Sequence, residues 1–426
     1  MSRFVDSIYP HHEGRRERGK RFAEQAFQLV DLRDVSLSNV QACILLATLC
    51  FVEGNIQSEA VYYASANRMA TVLDLPHRKV QSELERQINL RGMLIDYLRP
   101  TLALIYFSVW WSLFMIDIWS SSGLRLPRQM HFDEAIPLPA EETYFLQSAA
   151  ANILPPPARG TGIWAEMTRL ARVWSEIQDV NRATVDGTLD PIQLHAAVEG
   201  LSDKLEVWRR SLPPFLLDTP QNRTHYLANG LGTSFAALHL GYHYYSSVLF
   251  YQFLAAANQR NGFSVLPAQA YAERCTHHAM TFCDILYECD AATHGQECMY
   301  VMLGHMLVVT STILVHMLLF NEFCAISPDV LRERLQHNFS ILTKLQQYWR
   351  TLESSLSRLK VFHNACLRSI EGSFDMDRWM LRFILEYGVS MPEKFAGGPG
   401  EEVGEEVKGK SASLRDWYSE TFTSET

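Results

Sequence analysis

A chain of 426 residues that is 47% apolar holds enough material for one large domain or several average ones, and is too apolar to be disordered throughout. Its net charge of −9 argues against an autonomous nucleic-acid binder, since neutralising phosphates needs a concentrated basic surface. No basic segment followed by an apolar core opens the chain, so secretion is not expected, and eight cysteines scattered from Cys43 to Cys366 fit buried thiols in a reducing compartment.

Residues 1–35 read as a helical lead-in with a basic patch. Arg15, Arg16, Arg18, Lys20 and Arg21 could serve nuclear import or contact phosphates. Interrupted by Glu17, they also read as the solvated first turn of a helix entering Phe22 to Phe27, which is the favoured account. Val35 to Val52 then shows helical apolar spacing (Val40, Cys43, Ile44, Ala47) with Ser36 or Ser38 as N-cap. Gly54-Asn55 makes a turn, and Ser58 to Leu73 forms a second helix with a slender face of Ala60, Ala64 and Met69. Such pairs with short links, and the near absence of strand signals, predict an all-α fold: a large multi-helix domain of antiparallel helix pairs. No fixed-period repeat supports a solenoid.

Residues 36–136 form the first half of this domain. Pro-rich sequence over 137–160 makes a connector, and 161–390 supplies the second helical half. Within it, Met299 to Phe320 carries no formal charge and is long enough to span a bilayer. His305, His316 and several hydroxyls favour a buried core helix over a membrane anchor. From 391 to 426 the composition turns to glycine, acids and aromatics, which predicts a flexible tail and is also the composition of coactivator-docking segments.

Candidate chemistry is sparse. Cys275, His277, His278, Cys283, Cys289, His294 and Cys298 are enriched in metal-ligand types, but their spacing contains no Cys-x2–4-Cys arm. His239 and His243 share a helical face at i, i+4 without the glutamate of a metalloprotease helix. Gly160-Thr161-Gly162 imitates a dinucleotide fingerprint, yet prolines precede it where a buried strand is required. No catalytic, cofactor or metal residue is assigned, and the chain is not expected to be an enzyme.

The most informative stretch is Trp110-Trp111-Ser112-Leu113-Phe114-Met115-Ile116-Asp117, closing with Gly123 and Pro127. Upstream lie Gln41-Ala42, Leu45-Leu46-Ala47, Gly54, Ala66-Asn67-Arg68-Met69-Ala70 and Leu73-Asp74-Leu75. In that order these resemble the regulatory (middle homology) domain of fungal zinc-cluster transcription factors, also called the xylanolytic transcriptional activator regulatory domain. Leu201, Leu205, Trp208 and Leu212-Pro213, then the aromatic helix Ala236 to Leu254, resemble later elements, so the similarity runs over residues 20–385. The resemblance makes Arg68, Leu75, Trp110, Trp111, Asp117, Gly123 and Pro127 a structural motif, with Asp117 pairing with an arginine or capping backbone amides.

That resemblance implies a nuclear regulator of RNA polymerase II transcription. Its expected partners are the transcription machinery or coactivators, a second copy or a complete zinc-cluster factor as dimer partner, and a small-molecule effector held between helices, with no membrane. DNA binding and zinc are family properties carried by a six-cysteine cluster that this sequence lacks, since residues 1–42 contain no cysteine. Zinc and DNA would enter only through a missing or partner domain. Three forms stay open: a reading frame missing its first exons, a natural cluster-less regulator, or a decaying copy. Outside the family, an all-helical enzyme or small-molecule binder with an apolar cavity, or a membrane-anchored helical protein, are the alternatives.

One segment departs from the family pattern. Glu85 to Arg91 should run straight into the aromatic pair, but Gly92 to Ser108 intervenes. Removing residues 92–108 restores an uninterrupted amphipathic helix, and possible codons at its two ends contain a splice donor (GTATG) and an acceptor (CAG). The segment is therefore read as a retained intron in preference to a lineage-specific loop. Pro100 within it is expected to break any helix crossing it, and the added apolar residues to disturb the core around Asp117.

Overall fold

Side-chain caps mark several of the points where the chain enters a helix. The Ser36 side chain accepts from the Asn39 amide to start a helix at Leu37, and Asn55 accepts from Ser58 to start the next. Asp190 forms a full capping box with Gln193, with Pro191 in the first turn, where its missing N–H costs nothing. Thr219 accepts from the Asn222 amide and Ser327 from the Asp329 amide, ahead of Pro220 and Pro328. Gly54, at φ 78°, takes the left-handed conformation that lets the second of these helices fold back on the first.

The computed structural model describes residues 14–77, 95–142, 160–258, 266–292, 300–320, 326–369 and 378–388. Among them are thirteen α-helices and no strand. These are α1 (Lys20–Leu29), α2 (Leu37–Val52), α3 (Ile56–Val72), α4 (Ile95–Gly123), α5 (Ile163–Asp186), α6 (Pro191–Ser211) and α7 (Pro220–Ala228). The second half adds α8 (Gly232–Phe250), α9 (Leu266–Ala292), α10 (Leu303–Phe320), α11 (Pro328–Gln346), α12 (Thr351–Ser369) and α13 (Arg378–Leu385). Sequence-adjacent helices pack on one another at α2–α3, α5–α6, α8–α9 and α10–α11, as an all-α domain of helix pairs requires.

The core is continuous across both halves. Helix α4 enters its centre, with Trp111, Leu113, Phe114 and Ile118 essentially inaccessible. Trp111 meets Phe114 edge-on at 5.5 Å, and its indole N–H donates to the Pro137 carbonyl at 2.8 Å. The Tyr63 hydroxyl of α3 donates to the Leu113 carbonyl at 2.6 Å, joining α3 to α4. Trp174 of α5 stacks on Tyr245 of α8 with centroids 4.6 Å apart. Helix α10, apolar and long enough to cross a membrane, is buried from Leu303 to Met317 and forms part of this core.

Two expectations are corrected here. The helix does cross Pro100: α4 runs unbroken from Ile95 to Gly123. Pro100 is the sixth residue of that helix. Residues 92–94 lie outside the described residues. Near the end of the insert, Tyr106 is buried in the core. The basic segment is not a solvated turn either. Arg16 donates to the Gln346 carbonyl and pairs with Glu353 at 2.5 Å. Arg15 bonds Gln347 and lies over the Tyr348 ring, and Arg18 is buried, while Lys20 and Arg21 stay exposed.

After α4 the chain reverses around one side chain. Asp117 Oδ2 accepts from the amides of Gln129 and Met130, both at 2.8 Å, and the carboxylate is 2% exposed. Of its two expected roles, Asp117 takes that of amide cap. Asp117→Ala leaves two amides without acceptors and is expected to cost about 3 kcal/mol in urea unfolding. Asp117→Asn, which keeps one acceptor oxygen, should lose less than half of that.

Candidate functional site

The last two turns of α4 carry more than the reversal. Trp119 and Ser120 face a cavity of about 260 Å³ bounded by α2, α3, α4, α5, α8, the segment 300–306 and Tyr387. Its walls are mostly apolar, with four methionines (Met115, Met167, Met302, Met306) whose flexible thioethers adapt to varied shapes. Aromatic rings of Phe51, Trp119, Tyr245, Tyr300 and Tyr387 complete the lining.

The one acidic group in that lining is Glu59, in the first turn of α3 and 5% exposed. Ser120 donates to Glu59 Oε2 at 3.0 Å, and Oε1 has no hydrogen bond among the described residues. Burial raises the Glu59 carboxyl to about 7, against which the Ser120 hydrogen bond pulls down. Neither Glu59 nor Ser120 is legible as a site in the sequence, because an acid in a helix's first turn is ordinary capping chemistry.

Tyr387 closes the cavity beside Gly123. A Cβ at Gly123 would lie 2.7 Å from the Tyr387 ring, so the close approach needs glycine. The Tyr387 hydroxyl donates to the Trp119 carbonyl at 2.6 Å and the Gly388 amide to the Gly123 carbonyl at 3.0 Å. Ser122 adds a bond to the Leu385 carbonyl.

The remaining motif residues spread out. Leu75 and Trp111 are core, Trp110 is half-buried, and Arg68 and Pro127 are exposed, so Arg68 does not meet Asp117. His239 and His243 diverge: His239 bonds the Leu216 carbonyl, whereas His243 Nδ1 lies 3.0 Å from His278 Nδ1. Burial lowers the pKa of all three imidazoles. Cys275 donates to the Ser247 carbonyl, and Cys283 lies against Asn338. Among the described residues no group of three or more His, Cys, Asp or Glu is placed to hold a metal, and His294 and Cys298 fall outside them. The N-terminus of α5, beside Gly160-Thr161-Gly162, is occupied by the chain itself: Glu142 accepts from the amides of Ile163 and Trp164 at 3.0 and 2.6 Å. That carboxylate stands where a pyrophosphate would have to sit.

Glu59 gives the cavity a pH signature. Its folded pKa, about 7, lies above the ordinary carboxyl value of 4.5, so the folded state binds the extra proton between those limits. Stability associated with Glu59 is therefore full below pH 4.5 and lost as pH rises through 7, by about 3 kcal/mol in all. Asp117, Glu142 and Glu166 are also raised by burial and act in the same sense. In thermal melts from pH 5 to 8, Glu59→Gln should lose less stability than the parent chain, the difference isolating Glu59.

Residues 21–210 match the family model described as the fungal specific transcription factor domain. The match covers α1 to α6 except the first residue of α1 and the last of α6, and it does not extend to the aromatic helix Ala236 to Leu254. No curated protein and no solved structure matches the chain. The matched model describes a transcription factor domain.

Proposed function

We propose, from the match of residues 21–210 to the fungal specific transcription factor domain, that the chain is a transcriptional regulator whose helical body senses a small-molecule effector and passes its occupancy to partner proteins. The observation that carries this reading is the cavity beside Glu59. Its walls come from α2 to α5 of the matched domain and from α8, the 300–306 segment and Tyr387 beyond it. A ligand held there touches both halves, so its binding energy can bias how they pack.

Under this reading the protein acts in the nucleus on RNA polymerase II transcription, through coactivators or other parts of the transcription machinery. DNA and zinc are supplied by a six-cysteine module upstream of this sequence or on a dimer partner. Arg15 and Arg16 serve first to tie the N-terminal segment to the end of α11 and to α12, and Arg18 is buried, which leaves Lys20 and Arg21 as the open part of an import patch.

The test is a reporter assay with the full chain fused to a heterologous DNA-binding domain in a fungal host. The fusion should change reporter output at least about threefold from the DNA-binding domain alone, in either direction. Ala237→Phe, which places a ring in the cavity from its half-exposed wall, should shift that output while the protein accumulates normally. Output equal to the DNA-binding domain alone, for both forms, contradicts the proposal.

A further inference from the structure

We propose that the cavity takes an apolar organic cation, an amine carried on an aromatic or similarly compact hydrocarbon body, with its ammonium group against Glu59 Oε1. This rests on reading the cavity as an effector site and adds the chemical class of the effector.

Three observations converge. First, Glu59 is the only formally charged residue among the described lining residues, which include no Lys, Arg or His. An ionised Glu59 repels an anion, and a neutral hydrocarbon body offers its Oε1 neither a donor nor a counter-charge. Second, the rings around it suit a cation. Trp119 lies 6.1 Å from Tyr245 and 6.5 Å from Tyr387, and Tyr300 lines the same space. The faces of such rings attract ammonium groups, more strongly where water is excluded. Third, about 260 Å³ is the liquid volume of about nine waters, which suits one bicyclic ring with a short arm. Met115, Met167, Met302 and Met306 supply the adaptable apolar contact for that body.

The charge arrangement is self-consistent. Without a ligand, Glu59 is held partly protonated by burial, which limits the cost of an unpaired carboxylate. An arriving ammonium stabilises the ionised form, and the proton leaves to solvent. Ser120 keeps its bond to Oε2 throughout and orients the carboxylate.

The experiment is isothermal titration calorimetry on the full chain with three probes of one shape: tryptamine, its neutral counterpart 3-ethylindole, and the anion indole-3-propionate. Tryptamine should bind at least about tenfold tighter than 3-ethylindole. Glu59→Gln should remove that preference while leaving 3-ethylindole within about twofold of its parent affinity, since the uncharged wall is unchanged. Ser120→Ala, which frees Oε2 and keeps the carboxylate, should preserve the preference and so serves if Glu59→Gln unfolds. Equal binding of tryptamine and 3-ethylindole, or tighter binding of indole-3-propionate, overturns the cationic class while leaving a sensing cavity in place. No binding by any probe, with the reporter fusion still active, overturns the ligand class and leaves the regulatory reading standing.

Discussion

The Asp117 carboxylate, closed on the amides of Gln129 and Met130, is the interaction on which the rest of the structure depends. It holds the chain that leaves the longest of the described helices against that helix and sends it back across the helix's aromatic face, where Trp111 can reach the Pro137 carbonyl. Burying a carboxylate is costly, and two short amide bonds offset that cost only if the loop stays in place. The same two turns present Ser120 to Glu59, Trp119 to the cavity, Ser122 to Leu385 and Gly123 to Tyr387 and Gly388. The end of one helix thus fixes a loop, a cavity wall and the docking of the last described helix.

Much of the fold was legible because it is local. Ser36, Asn55 and the Asp190 box are short-range signals, and each starts a helix where its chemistry demands. The charge-free run ending at Phe320 reads as core because its hydroxyls and imidazoles need partners; Ser311, for one, bonds Asn338. The role of Asp117 also followed from its place in the Trp110–Pro127 motif. What escaped is long-range or departs from a local rule. Pro100 lies within α4, against the local expectation. Arg15 and Arg16 are fixed by residues more than three hundred positions away, which no window of sequence contains. Glu142 caps α5 across the proline-rich connector, so the glycines at its start look open only when read alone.

The site itself was the least legible part. Glu59 and Ser120 stand sixty-one residues apart on helices of modest patterning, and Tyr387 lies beyond the matched domain. A cavity formed by five helices and two further segments has no sequence motif, because each contributes at most four ordinary side chains. Glu59 becomes informative only once its burial is known, since the same residue in solvent would simply favour the start of a helix. The matched domain and the remainder of the chain both wall the cavity, and neither encloses it without the other.

That unity is most directly tested by hydrogen–deuterium exchange on Asp117→Asn beside the parent chain. If the end of α4 holds loop and cavity together, exchange should quicken jointly in residues 124–138, in the first turns of α3 around Glu59, and in 380–388. Faster exchange confined to 124–138, with the cavity segments unchanged, would contradict the account.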